Sequence, residues 1–235
     1  MNLIVRYLGL IEYAVTFEEM RRFAGDRDAS CADEIWCLEH PPVFTQGQGG
    51  RADHVHDTKD IPIVRSDRGG QVTYHGPGQL VVYVLMDIRR QGIGPRELVK
   101  RIESGLINTL KYFEIDAERR GGAPGVYVGQ SKIAALGLRI RRGTSYHGLS
   151  LNVDVDLEPF TRIDPCGFKG LEVTRLCELG VNENCTGVAA RLLPELIAAL
   201  YGDSQDIEIE TFDSLPVGKH GSEGEGVNIR VSALR

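Results

Sequence analysis

Two spacings of apolar residues alternate along the chain and predict its elements. Residues 2–8 (NLIVRYL) and 33–40 (DEIWCLEH) are short apolar runs that predict strands, the second ending at Pro41–Pro42 because proline supplies no ladder donor. Between them, 15–24 (VTFEEMRRFA) predicts a helix, with acidic residues early and basic ones later, as the helix dipole favours. A polar loop is expected through 46–60, followed by successive strands at 61–65, 71–75 and 79–86 joined by tight turns. The last, QLVVYVLM, is almost wholly apolar and is expected to be buried on both faces.

Pro95 suits a first helical turn, and Leu98, Ile102, Leu106, Leu110 and Phe113 then recur every three or four positions to make one apolar stripe. Strands follow at 125–128, 132–141 and 145–153, the last two joined as a hairpin at Arg142–Gly143. A further helix covers about 187–201, with Leu192, Leu193, Leu196, Ile197 and Leu200 on one side. Strands dominate the middle, helices flank them, and no repeat or long linker divides the chain. The fold class is therefore a single mixed α/β domain, residues 1–217, with a glycine-rich tail at 218–235 expected to be mobile.

Composition narrows the functional classes. The 235 residues carry 33 acidic against 27 basic side chains, a formal net charge of −6, so no global basic field favours nucleic acid or an anionic membrane surface. The N-terminal stretch meets Arg6 early and lacks the apolar core of a signal peptide, and no run approaches the roughly 20 apolar residues of a membrane span. Five cysteines, Cys31, Cys37, Cys166, Cys177 and Cys185, form an odd set without a CxxC pair, unlike a secreted disulfide framework or a zinc ribbon. A reducing cytoplasm is the expected location.

Three segments depart from what a plain strand or loop needs. Arg68-Gly69-Gly70-Gln71-Val72-Thr73-Tyr74-His75-Gly76-Pro77-Gly78-Gln79 is rich in glycine, which lets backbone approach a ligand and would make Arg68, Thr73, Tyr74 and His75 polar fixtures of a pocket; a tight hairpin is the plain alternative. It is no nucleotide loop, since neither GxxxxGK[ST] nor a strand-turn-helix GxGxxG is present. In Gly121–Gly137, Lys132 heads an otherwise apolar strand, where its stem can be buried and its amine face a cavity, although such a lysine is usually a solvated charge. In Asp164-Pro165-Cys166-Gly167 a cysteine sits between proline and glycine, the wrong neighbours for a small buried hydrophobe, which is how Cys37, Cys177 and Cys185 read. His147 either lines the same pocket or is a hydrogen-bonded structural residue, and His54 and His56 lack a third partner for a metal site.

Glu39–Gln48, Arg68–Gln79, Gly125–Leu138, His147–Val153 and Pro165-Cys166-Gly167, in this order, resemble the lipoate-biosynthesis octanoyltransferases, over roughly residues 33–180. The resemblance implies the biotin and lipoate protein ligase fold, a single catalytic domain with a mixed sheet flanked by helices. It implies transfer of an octanoyl group from octanoyl-acyl carrier protein to a lysine of lipoyl domains, in the E2 subunits of 2-oxoacid dehydrogenases and the glycine cleavage H protein, without a cofactor. It further implies Cys166 as the acyl-accepting nucleophile, Lys132 as its partner, and a substrate pocket lined by Arg68 to His75 (Arg68, Gly69, Gly70, Gln71, Val72, Thr73, Tyr74, His75), Ala135, Leu136, Gly137, Gly148, Leu149 and Ser150. A free cysteine titrates near about 8.5 and a lysine near about 10.4, so the two side by side form a thiolate–ammonium pair. The apolar runs Val81–Met86 and Ile133–Leu138 would wall a hydrocarbon tail, and two arginine clusters, Arg139, Arg141 and Arg142 or Arg119 and Arg120, would receive an acidic carrier.

Overall fold

The structure, a computed structural model, describes residues 2–165, 170–202, 207–216 and 227–231. Its strands are β1 (Asn2–Leu10), β2 (Asp33–Glu39), β3 (Val43–Gln46), β4 (Ile63–Arg65), β5 (Val72–His75), β6 (Gln79–Leu85), β7 (Glu118–Arg119), β8 (Gly125–Val128), β9 (Ser131–Arg141), β10 (Thr144–Asn152), β11 (Ile207–Phe212) and β12 (Val227–Val231). Its α-helices are α1 (Tyr13–Asp26), α2 (Pro95–Tyr112) and α3 (Cys185–Tyr201).

Nine strands form one mixed sheet in the order β12-β11-β1-β2-β6-β10-β9-β8-β7, with β1 parallel to both β2 and β11 and the remaining pairs antiparallel. Every residue of β6 is buried, as its unbroken apolar run requires of a strand covered on both faces. Alternation along it serves two cores. Leu80, Val82 and Val84 join the large cluster under α2 and α3, while Val81, Tyr83 and Leu85 join a smaller one under α1 with Met20, Trp36 and Tyr146. The predicted stripe of α2 lies in the large cluster, where Gly105 lets α3 approach until an added Cβ would stand 2.9 Å from Leu196 Cα. The β9–β10 hairpin turns at Arg142 (φ 50°) and Gly143 (φ 85°), the two left-handed residues that a tight two-residue hairpin demands.

The structure departs from the sequence reading in several places. The strands at 63–65 and 72–75 do not continue into the main sheet: they flank β3 in a separate three-stranded sheet, β4-β3-β5, over a third cluster of Phe44, Val72, Tyr74, Val155, Phe160 and Ile163. β3 itself went unpredicted because the prolines before it and Thr45-Gln46 within it mask a four-residue run. α1 is longer than predicted at both ends, so Glu18, Glu19, Arg21 and Arg22 fall mid-helix, away from the terminal turns where the dipole acts; Glu19 and Arg22 pair with each other instead, at 2.6 Å. β7 and β11 were not predicted, and within the segment after Gly218, residues 227–231 pair with β11 as β12.

A buried charge pair joins β1 to β2. Arg6 and Glu34 are both nearly inaccessible; Glu34 accepts from Arg6 Nε at 2.6 Å and Nη2 at 3.1 Å, and from Trp36 Nε1 at 2.6 Å. Glu34→Ala is expected to lower stability by roughly 3–5 kcal/mol, because it leaves a buried guanidinium without its counter-charge, whereas Arg6→Met combined with Glu34→Leu recovers part of the loss, the Trp36 indole N–H still lacking its acceptor. Urea midpoints of the three proteins check this; a single variant as stable as the parent would contradict it.

Candidate active site

A cleft lies where the small sheet meets the main one. Its walls come from Arg68 and Gly70–Thr73, with His75, on the small-sheet side; Ala135–Gly137 of β9 and His147–Ser150 of β10; Val81 and Tyr83 of β6; and Tyr13 of α1. Five stretches of the chain, from residue 13 to residue 150, therefore share one cavity. Of the residues implicated beforehand, Arg68, Gly70, Gln71, Val72, Thr73, His75, Ala135, Leu136, Gly137, His147, Gly148, Leu149 and Ser150 line it. Gly69 is beside it, its N–H donating to Leu138 O, and Tyr74 points the other way, its ring against Phe44 and Phe160, since alternate residues of β5 face opposite sides. Tyr13, Val81 and Tyr83 were missed as lining; only the tertiary packing of α1 and β6 brings them there.

Two of the cleft's polar side chains, Arg68 and His75, are tied into a chain of hydrogen bonds running in one direction. Arg68, buried, donates to Thr45 O and Oγ1 at 2.6 and 2.9 Å. Thr45 Oγ1 stands 3.3 Å from His75 Nε2, and His75 Nδ1 lies 2.6 Å from Gln79 Oε1. Gln79 Nε2 donates to Asn152 Oδ1 at 2.9 Å, and Asn152 Nδ2 donates to Thr174 O at 2.9 Å. These directions assign the His75 tautomer: its Nδ1–H donates to the Gln79 amide oxygen, leaving Nε2 to accept from the threonine hydroxyl. Behind it, His40 Nδ1–H donates to Ile11 O at 2.6 Å and Nε2 accepts from Tyr83 OH at 2.6 Å.

Burial pushes the His75 pKa down to about 3, with His40 and Arg68 adding repulsion, and burial pushes His40 down to about 4. His147 is also lowered by burial, although its Nε2–H donates to Asp67 Oδ1 at 2.9 Å. Burial raises Asp67, but hydrogen bonds from His147 and from Tyr146 OH (2.6 Å) outweigh it and hold the carboxyl below its usual range. His147 has φ 59°, which turns its ring from the strand's alternation to stack on Tyr146 and Phe17, on the α1 side of the sheet. The cleft thus offers neutral imidazoles, hydroxyls and apolar walls.

Lys132, at the start of β9, is 3% exposed. It is no solvated surface charge. Its Nζ donates to Pro124 O at 3.1 Å and stands 5.2 Å from the centroid of the Tyr127 ring. Residues 172–174 run beside it, Lys132 N donating to Glu172 O and Thr174 N to Lys132 O, so Thr174, whose carbonyl ends the hydrogen-bond chain from Arg68, is also a strand neighbour of Lys132. A second cleft, which includes Ser131, Asp164, Pro165 and Gly170, opens next to this point; Asp164 Oδ1 pairs with His56 Nε2 at 3.0 Å. Cys166, the expected nucleophile, lies outside the described residues, so its distance from Lys132 is not part of this geometry.

The other cysteines divide. Cys37 is buried, and its thiol is pushed up to about 12 by burial; Cys185 is likewise buried and raised. Cys177 departs from the expected small hydrophobe: it is partly exposed and its Sγ donates to Asp154 Oδ1 at 2.9 Å. Among the described residues no three His, Cys, Asp or Glu side chains gather as metal ligands, and no helix is long and apolar enough to cross a membrane.

The architecture is that of the lipoate-protein ligases. A lipoate-protein ligase A bound with ATP superposes with a TM-score of 0.76 at 15% identity, covering 93% of this chain and 91% of that one. A bi-partite lipoate protein ligase from Thermoplasma acidophilum, described with its E2 lipoyl domain, gives 0.70 at 16%, covering 93% and 89%. The lipoyl protein ligase A/B catalytic domain family matches residues 12–197. An octanoyltransferase of Stutzerimonas stutzeri is 58% identical over 83% of this chain and 90% of its own length, and one of Vibrio atlanticus is 52% identical over 88% and 94%. The chain belongs to the lipoyl protein ligase A/B catalytic domain family, among its octanoyltransferases.

Two of the three histidines that burial depresses, His40 and His75, set a pH window. Both are neutral when folded but titrate near 6.5 when unfolded, so between about 6.5 and 4 the unfolded chain binds more protons and stability falls as pH drops. Denaturant midpoints should decline from pH 7 to pH 5, above the range where ordinary carboxylates titrate, and the decline should flatten in the His40→Gln, His75→Gln double variant. An equal slope in both proteins would show that these rings are not the cause.

Proposed function

We propose that this chain transfers an octanoyl group from octanoyl-acyl carrier protein, through a thioester on Cys166, to a lysine of a lipoyl domain, such as those of 2-oxoacid dehydrogenase E2 subunits or the glycine cleavage H protein. The observation that carries the reading is the convergence of Arg68, Gly70–Thr73, His75, Ala135–Gly137 and Gly148–Ser150 on one cleft with no carboxylate among its described lining residues, in a chain whose relatives are octanoyltransferases. Val81 and Ala135, with Gly137 and Gly148 leaving room beside them, suit a hydrocarbon tail. At about 0.8 kcal/mol per buried methylene, such walls prefer a chain length without sharply excluding its neighbours.

In the first half-reaction the Cys166 thiolate attacks the carrier's thioester carbonyl, the carrier's thiolate leaves, and the proton from Cys166 follows it through the Lys132 amine. One thioester replaces another, so the exchange is nearly isoenergetic and the carrier departs before the acceptor binds. In the second, the acceptor lysine, as a free amine, attacks the acyl carbonyl; an amide forms, the Cys166–acyl bond breaks, and the proton lost by nitrogen passes to Lys132 as general base. Formation of an amide from a thioester drives this step forward. Support for Lys132 in that role comes from its burial beside β8 and from the second cleft at its neighbour Ser131, which also includes Pro165, the residue preceding Cys166 in the chain. The cytoplasm, where both carriers would be met, is the proposed location.

Incubation with octanoyl-acyl carrier protein alone should yield one octanoyl adduct by intact mass, mapped to Cys166 and absent from Cys166→Ala. An adduct that survives that substitution would defeat the thioester assignment. Lys132→Arg, which keeps the charge but cannot act as a base, should slow transfer to the acceptor by roughly 10²–10⁴-fold. Near-normal transfer by this variant would remove Lys132 from the mechanism. Acylation from free octanoate only with ATP, with release of AMP, would indicate ligase chemistry instead.

A further inference from the structure

We infer that Glu103 is a positioning residue for Lys132, acting through the peptide group between Pro124 and Gly125; the inference rests on the reading of Lys132 as a reacting amine. Glu103 lies on α2 between Ile102 and Gly105 and is 5% exposed. A carboxylate facing a helix-packing core is costly unless its oxygens are satisfied. Here Oε1 accepts from Gly125 N at 3.0 Å and Oε2 faces Arg119 Nε at 3.7 Å.

The acceptor on the other side of the same peptide is what gives the contact its consequence. Pro124 O accepts from Lys132 Nζ at 3.1 Å, so one peptide plane is held at both poles, its N–H by Glu103 and its C=O by the ammonium. A charged acceptor at the N–H end polarises the amide and strengthens its carbonyl as an acceptor. It also stops the plane from rotating, which fixes where the lysine nitrogen can sit. Gly125 has φ 141°, and a Cβ there would meet Ala134 O at 2.6 Å, Lys132 Cε at 3.0 Å and Nζ at 3.2 Å. The backbone is thus pressed directly against the lysine stem, and a small turn of this peptide moves the amine. With the Tyr127 ring below the cation, the Pro124–Gly125 peptide and Tyr127 form two sides of a cradle, and Glu103 holds one of them from the helix.

The test compares Glu103→Gln, whose amide oxygen still accepts from Gly125 N–H, with Glu103→Leu, which does not. With octanoyl-acyl carrier protein and a lipoyl domain, Glu103→Leu should lose at least about tenfold in kcat with KM for the lipoyl domain unchanged, in line with the roughly 10²-fold effect of a 1 Å misplacement. Glu103→Gln should restore most of that rate. In the same proteins, limited amine labelling followed by peptide mapping should show Lys132 reacting faster in Glu103→Leu, while the exposed Lys59 and Lys111 react as before. Unchanged kcat and unchanged Lys132 labelling in Glu103→Leu would overturn the inference, as would faster labelling of all three lysines, which reports general loosening. Normal transfer by Lys132→Met would instead overturn the reading of Lys132 itself.

Discussion

A buried line of hydrogen bonds, running from the Arg68 guanidinium through Thr45, His75, Gln79 and Asn152 to the backbone carbonyl of Thr174, is the constraint on which the site depends. Each member has a donor or acceptor that the low-dielectric interior would penalise if left unmet, so the line is favourable only when complete. Its direction is set at one end by a guanidinium, which can only donate, and at the other by a backbone carbonyl, which can only accept. A proton added at His75 Nε2 would oppose the threonine hydroxyl and the arginine beyond it. That opposition, together with burial, is why the ring stays neutral.

The line also explains the position of the cleft. Where the two sheets meet, β5 and the 68–71 loop bring polar groups to the junction. Arg68 and His75 are satisfied within the buried line, which leaves Val81 and Ala135 as the apolar surface of the cleft. The same economy recurs near Lys132, where a buried carboxylate and a buried ammonium are separated by one peptide group that serves both.

Much of this was legible beforehand where residue chemistry was locally unusual. The glycine-rich run from Arg68 and the lysine heading an apolar strand stand out because glycine and charge are disfavoured in ordinary strands; the first lines the cleft and the second is buried at the start of β9, while Cys166, which stood out between proline and glycine, lies outside the described residues. Tyr74 shows the limit of that reasoning: it shares the motif with His75, yet the pleat sends its ring into the third cluster with Phe44 and Phe160. Tyr13 and Tyr83 show the converse. Each looks like a core aromatic in sequence, and each reaches the cleft because α1 crosses the face of β6.

The apolar spacing by itself determined that 79–85 would be a doubly covered strand, that α2 and α3 would each present one apolar face, and that Arg142–Gly143 would close a hairpin, since these follow from local periodicity and local backbone preference. Tertiary structure decided the partition of strands into two sheets, the pairing of β1 with both β2 and β11, and the meeting of Glu103, Gly125 and Lys132 from three separate elements. The physical reason is range. Periodicity and turn chemistry act between residues a few positions apart, whereas strand partnership and the satisfaction of a buried charge depend on surfaces that exist only once distant elements have packed.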